Sequence, residues 1–376
     1  MERNLAAGGV REGESGVWER LAELGKEIPK SRSGAQGGPL QGGTVKKFIN
    51  DPFDVVDEML EGFLAVHQRY LRKLENARAV VRAEAPRPGK VGVLTGGGSG
   101  HKPAFIGFVG KGMLDAVAVG EIFTSPPPLA VYEAAKAANG GKGVLFLLGN
   151  YSGDVMNFNL AAEMCRDEGI PVAQVIATDD VGSGPKERAA NRRGVVGEFL
   201  AWKITGAKAE AGGSLEECRA LAEKVNQLTR TIGVALSPCT VPAKGTPTFI
   251  LADDEIEYAV GHHGEPGTAK IKIKPADEIV EKMMEEILRD LPFQKGDEVA
   301  VLINGLGGTP QLELYIGYRK VKKILDEKGI RIGNSFVGEF FTALEMAGFS
   351  ITLMRLDEEL KRLLEAPADT PAYKQI

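Results

Sequence analysis

The segment from Lys90 to Pro103, KVGVLTGGGSGHKP, constrains this chain most. Val91 to Thr95 has the length and composition of a buried strand. Gly96, Gly97, Gly98 and Gly100 follow, with Ser99 among them and His101 directly after. Glycine lets the backbone take positive φ and come close to a ligand. Amide groups at a strand-to-helix junction can hydrogen-bond an anion or a polyol. Pro103 suits the first turn of a helix, so the order predicted is strand, glycine turn, helix, with His101 at the mouth of the turn. The same residues also suit a tight turn with a surface histidine.

The surrounding pattern sets that turn in an α/β frame. Pro52 to Leu71 has helical spacing, with Asp51 placed to cap it and His67 within it. Ala104 to Met113 reads as helical or turn-like, and GEIFTSPPP (120–128) as a loop. Helices are expected over Ala130–Ala138 and Asn159–Glu168, and strands over Val144–Leu148 and Val172–Ala177. This alternation argues a parallel sheet with helices on its faces. Ligands in such sheets sit beyond the carboxyl ends of the strands. Three loops leave strand ends there: GGGSGH, GNYSGD and TDDVGSG. If the strands are neighbours, His101 and Asp154 converge. Asp154 suits a general base for a hydroxyl, and equally an N-cap of the helix beside it.

The second half repeats the theme. Helices are expected over Lys186–Thr205, Leu215–Leu228, Pro275–Leu291 and Gln311–Lys328. Strands are expected over Val234–Leu236, Thr248–Leu251, Glu255–Val260 and Val299–Ile303. The loop GHHGEPG (261–267) carries two glycine-flanked histidines, which reads as chemistry rather than packing. No cysteine or further histidine lies nearby in sequence to complete a zinc set, so no metal is assigned. The fold class expected is α/β, with two α/β domains, 46–230 and 231–376. The C-terminal segment is able to return to the first. Residues 1–45 differ: Trp18, Leu21 and Leu24 recur at helical spacing, and GAQGGPLQGG reads as a flexible linker.

Composition narrows the function classes. A net charge of −5 argues against non-specific nucleic-acid binding. Cys165, Cys218 and Cys239 are far apart and form no CxxC pair, which suits reduced thiols in a cytoplasmic protein. Cys165 and Cys218 fall in helical patterns and are expected to pack. No secretory signal and no membrane-spanning apolar run is seen. There is no GxxxxGK[ST] loop, no protein-kinase signature and no GxGxxG fingerprint. Any phosphoryl donor is therefore expected to come from elsewhere.

GGGSGHKP, GEIFTSPPP, GNYSGDVMNF, VALSPCTVPA, GHHGEPG and NGLGGTP, in this order, resemble the substrate-binding subunit of dihydroxyacetone kinase, the DhaK family. The resemblance runs from about Lys46 to the C-terminus. It implies two α/β domains, a homodimer and a short ketose bound covalently as a hemiaminal on a histidine. In the family's HGEPG motif that histidine is His263 here. The resemblance further implies Gly98, Ser99 and Gly100 as substrate contacts, with His101 as a hydrogen-bonding or proton-transfer residue. It implies Asp154 as the base for the terminal hydroxyl and Ser125 as a further contact. No cofactor is expected on this chain. Mg-ADP or Mg-ATP belongs to a separate DhaL-type subunit, or the donor is a phosphotransferase-system protein.

Two positions depart from the family pattern. Lys102 stands where an acidic residue is usual, and Gly149 where a substrate-contacting lysine is usual. These changes resemble a branch that includes kinases for four-carbon ketoses such as erythrulose. Losing the lysine is expected to leave room at one end of the ketose. Two other classes stay open: a ketose-binding transcriptional co-regulator, and a fatty-acid binder of the DegV type, which lacks a reason for HGEPG.

Overall fold

Two six-stranded mixed sheets, each flanked by helices, carry residues 46–376, the part of the chain that the computed structural model describes. The helix and linker expected before residue 46 lie outside the described residues. Helix α1 (Val55–His67) leads into strands β1 (Leu71–Lys73) and β2 (Ala79–Arg82), an antiparallel pair at the edge of the first sheet. The sheet continues with β4 (Ala116–Ile122), β3 (Gly92–Ser99), β5 (Val144–Gly149) and β6 (Val172–Ala177), all mutually parallel. Helices α2 (Pro128–Ala138), α3 (Ser152–Asp167), α4 (Gly197–Glu210) and α5 (Leu215–Leu228) complete this part.

The glycines after Val91–Thr95 are strand rather than turn. A Cβ on Gly96 would lie 2.6 Å from the Ala118 carbonyl oxygen, and one on Gly98 would lie 2.5 Å from the Thr124 amide. Glycine here lets β3 lie flush against β4 and the turn after it. The chain turns only at Gly100, whose φ of +105° disfavours other residues. No α-helix starts at Pro103. Residues 104–109 form a 3₁₀ turn (Ile106–Phe108), because Ala104, Phe105, Ile106, Phe108 and Val109 are apolar on every side and all are buried. The helix expected over Lys186–Thr205 is broken as well. A 3₁₀ turn (Lys186–Asn191) and an irregular stretch precede α4. A Cβ on Gly194 would fall 2.7 Å from the Ala177 oxygen, so the chain must squeeze past the ends of β5 and β6 there.

The second sheet orders β11 (Arg331–Gly338), β10 (Glu298–Gly305), β12 (Gly348–Leu356), β7 (Thr229–Ala235), β8 (Glu255–Tyr258) and β9 (Ala269–Lys272). Only β10 and β11 run parallel; the other pairs are antiparallel. Helices α6 (Ala276–Asp290) and α7 (Gln311–Glu327) pack on it. Thr248–Leu251 forms no strand; the local pairing is an isolated bridge between Thr240 and Pro247.

The sheets are joined at several points. Asp180, just beyond β6, bridges to Thr231 of β7. The Asp179 carboxylate accepts from the Val195 amide (2.9 Å), the Gly197 amide (3.0 Å) and the Thr231 hydroxyl (2.6 Å). The last segment crosses back. In α8 (Glu358–Leu364), the Leu363 carbonyl accepts from Lys203 of α4 at 2.9 Å, and the Asp369 amide donates to the Lys111 carbonyl at 3.0 Å. One hydrophobic cluster contains Val93, Leu145 and Trp202 from the first part, Leu302 and Met354 from the second sheet, and Leu363 from the tail. Cys165 and Cys218 are buried in the core, as expected, and Cys239 is buried too. Among the described residues, no helix is long and apolar enough to cross a membrane.

Candidate active site

Strand β3 delivers His101 to the junction of the sheets, where the backbone holds it. The Leu344 amide donates to Gly100 O at 2.8 Å and the Thr342 amide to His101 O at 3.2 Å. The imidazole is fully buried, and its Nδ1 lies 2.8 Å from the Thr342 carbonyl. A carbonyl only accepts, so the proton is on Nδ1 and a lone pair is on Nε2. That Nε2 is buried without a partner. Burial, then neighbouring His263, hold the pKa of His101 well below the usual value, which keeps the ring neutral.

The loop after β8 brings His262 and His263 from the second sheet. The three imidazoles form a nearly equilateral triangle, with centroids 4.7 to 4.9 Å apart. Aromatic rings surround it. Phe341 stacks on His262 at 4.1 Å, Tyr151 meets His263 edge-on at 4.3 Å, and Phe123 lies 5.1 Å from His101. His262 is buried, and its ring keeps one nitrogen without a partner. An ion-pair chain positions its loop. The His263 amide donates to Glu265 Oε2 (2.9 Å), and Glu265 Oε1 accepts from Arg193 Nη1 (2.8 Å). Arg193 also donates through Nε to Asp180 (2.8 Å) and through Nη2 to the Ala259 carbonyl (3.0 Å). Burial brings the pKa of His263 down to about 4, against the opposing pull of Glu265. Its ring is therefore neutral at ordinary pH.

Asp154 lies in the first turn of α3 and makes no capping bond; Tyr151 occupies the N-cap position. The N-cap alternative therefore fails. Asp154 is 8% exposed, and burial pushes its pKa up to about 6 against the Ser125 hydroxyl. Its Oδ1 has no partner. The imidazoles are thus neutral, with buried acceptors short of donors inside an aromatic wall, and Asp154, which follows the strand beside β3, adds a carboxylate of raised pKa. A small molecule rich in hydroxyl donors fits that chemistry.

The Dak1 domain matches residues 61–372. The chain belongs to the Dak1 family. It is 46% identical over 330 residues to the dihydroxyacetone-binding subunit DhaK of PTS-dependent dihydroxyacetone kinase 1 from Listeria innocua, covering 88% of this chain and 100% of that one. It is 44% identical to D-erythrulose kinase of Mycolicibacterium smegmatis, covering 88% of this chain and 56% of that one, so it spans just over half of that relative. Among solved structures, the dihydroxyacetone kinase operon co-activator DhaQ superposes with a TM-score of 0.79 at 32% identity, covering 85% of this chain and 98% of that one.

Other residues expected at the site of this Dak1 chain also bond to its scaffold. Ser99 donates its hydroxyl to the Gly120 carbonyl at 2.9 Å, while Ser125 Oγ accepts from Asn157 at 3.2 Å and its hydroxyl faces the Asp154 carboxylate. The room expected beside Gly149 is filled: a Cβ there would lie 2.8 Å from Glu198 Oε1 and 3.0 Å from the Tyr151 ring. Lys102 donates to the Ala104 carbonyl at 3.3 Å, and burial draws its pKa down to about 8. The absence of a third histidine near GHHGEPG holds only along the sequence. In space His101 joins the pair, and one ring nitrogen from each lies within 4.8 Å of the others. Sequence reasoning passed over Tyr151, Arg193, Glu198, Glu265 and Phe341. Glu265 and Tyr151 stand inside recognised motifs. The paired Arg192-Arg193 shortly after Asp179-Asp180 was the signal for the ion-pair chain.

Proposed function

We propose that this chain is the ketose-binding, catalytic subunit of a dihydroxyacetone-type kinase. The observation that carries the reading is the meeting of His101 and His263 from opposite sheets as neutral imidazoles in an aromatic enclosure. A ring nitrogen of His263 adds its lone pair to the ketose carbonyl carbon, and the C=O π pair moves to oxygen. The ring gives up its N–H proton and the oxygen gains one. The product is a hemiaminal, and no group leaves. Glycerol offers no such carbon. The bond fixes the terminal hydroxyl for in-line transfer. Asp154 takes the proton of that hydroxyl as it attacks phosphorus, and Nε2 of His101 accepts from a ketose hydroxyl. The phosphoryl group would come from Mg-ATP on a DhaL-type partner, leaving ADP there, or from a phosphotransferase-system protein that recharges the partner's Mg-ADP; the metal would supply neutralisation of phosphate charge. The subunit works as a cytoplasmic homodimer.

A crystal soaked in dihydroxyacetone tests the covalent step. Continuous density from His263 to the ketose is expected; a detached ligand, or one bonded to His262, defeats it. The kinship with D-erythrulose kinase favours a second substrate, a four-carbon ketose. Since Glu198 fills the space beside Gly149, an extra hydroxymethyl group must find its contacts there with Glu198 or elsewhere. The kcat/KM values for dihydroxyacetone, D-erythrulose and L-erythrulose, with partner supplied, decide between them. A missing contact separates them by roughly ten- to two-hundred-fold. The kinship with DhaQ favours a regulator; an adduct without any phosphorylation by the partner would support it.

A further inference from the structure

We infer that His101, His262 and His263 form a binding site for one divalent transition-metal ion of the imidazole-preferring kind, such as Zn²⁺ or Co²⁺, and that this ion and the ketose exclude each other. The first observation is geometric. One ring nitrogen from each histidine lies within 4.8 Å of one from each of the others. A tetrahedral Zn–N set with bonds of about 2.0–2.1 Å places its nitrogens about 3.3 Å apart. The rings must therefore draw together by on the order of 1 Å. The loop has to make that shift, because His101 is held by the Thr342 carbonyl and by its own backbone.

The second observation concerns the lone pairs. His101 carries its proton on Nδ1, so the unpartnered, buried Nε2 is a bare donor to a metal. His262 follows the same logic. The Tyr151 hydroxyl lies 3.0 Å from the Gly194 carbonyl, which can only accept, so that contact uses its one proton. Its oxygen therefore accepts from His262 Nε2 at 3.2 Å, and the lone pair falls on Nδ1 of His262, also buried without a partner. Two buried imidazoles are thus each fixed in one tautomer by an outer hydrogen bond. Metal-ligating histidines are commonly held this way. Imidazole suits zinc and cobalt, whereas Mg²⁺ and Ca²⁺ take oxygen ligands, so a nucleotide's magnesium does not compete here. Three histidines leave a fourth position for a water or hydroxyl oxygen. The nitrogen of His263 cannot bind metal and carry a ketose at once. This last clause rests on the proposed hemiaminal.

The test uses untagged protein stripped with chelator and titrated with Co²⁺ alone. The expected result is one ion per chain with the visible absorption of a tetrahedral site. His262→Asn and His101→Gln, checked as folded by thermal melts, should each weaken uptake at least tenfold, while His67→Asn should not. No tetrahedral band, or equal uptake by His262→Asn and the parent, overturns the site. Dihydroxyacetone added to the cobalt-loaded protein should bleach the band. A band that persists, with cobalt uptake otherwise as expected, overturns the exclusion and counts against a ketose on His263, while the metal site stands.

Discussion

The two arms that meet at the site are built differently. The first-sheet arm carries His101 and Asp154 on a strand end and a helix start. Backbone hydrogen bonds from 342–344 and close glycine packing against β4 fix the strand end. The second arm carries His263 on a loop whose position depends on side chains, through Glu265, Arg193 and Asp180. A backbone-held arm tolerates loss of a side chain; a side-chain-held arm does not. Changes on the first arm should therefore remove chemistry and leave structure, while changes behind the second should loosen substrate binding.

The sharpest separation comes from Asp154→Asn. Phosphoryl transfer should fall about 10²–10⁴-fold while ketose binding and the melting temperature hold. In the parent, Asp154 must be ionised to act and His263 must be neutral. With values of about 6 and about 4, the rate should drop below about pH 6 while adduct formation persists towards pH 4. Rate–pH profiles beside adduct–pH profiles check this; a single shared limb would break the comparison.

Arg193→Ala comes next. It strands the buried Asp180 and unties Glu265. Removing one partner of a fully buried pair costs about 3–5 kcal/mol. Arg193 and Glu265 keep 17% and 31% side-chain exposure, so about 2–3 kcal/mol is expected after allowing for screening. Denaturant unfolding measures it, and KM for the ketose should rise more than kcat falls. An unchanged KM would mean that the loop holds itself. Ser99→Ala should do least. Its hydroxyl serves the Gly120 carbonyl, so a loss of about 1 kcal/mol in stability is expected, with ketose affinity within about twofold of the parent. A large loss of affinity would restore Ser99 as a substrate contact.

How much of this was legible in the sequence follows the same division. Strands β5 and β6 and helices α2, α5, α6 and α7 were readable because a local period and clear stop residues define each. Strands β1, β2 and β4 were missed. The first two are three and four residues long, and β4 (Ala116–Ile122) ends inside the glycine- and proline-bearing stretch 120–128 that read as a loop. The glycines of β3 misled for a physical reason: their sequence permits a turn, and only the neighbouring strand turns that freedom into close packing. His101, Asp154 and His263 were legible through their motifs. Arg193, Glu198 and Phe341 were not, because each acts on a group distant in sequence. The stacking of Phe341 on His262 was not legible either, because the two lie 79 positions apart.

The Asp179 carboxylate, which ties β6, the start of α4 and β7 together, bears on how a molecule gets in. It is not a solitary tie, since segment 342–344 and the tail after β12 also cross between the sheets. A cleft that opens like a clamshell needs one narrow waist about which its halves swing. Stitched by these three crossings, the described residues form no such waist. Access to the enclosed imidazoles then falls to a trapdoor, the loop 259–268. The protein should trade ligand with its surroundings without changing its overall dimensions, at a pace set by how often Glu265 lets go of Arg193.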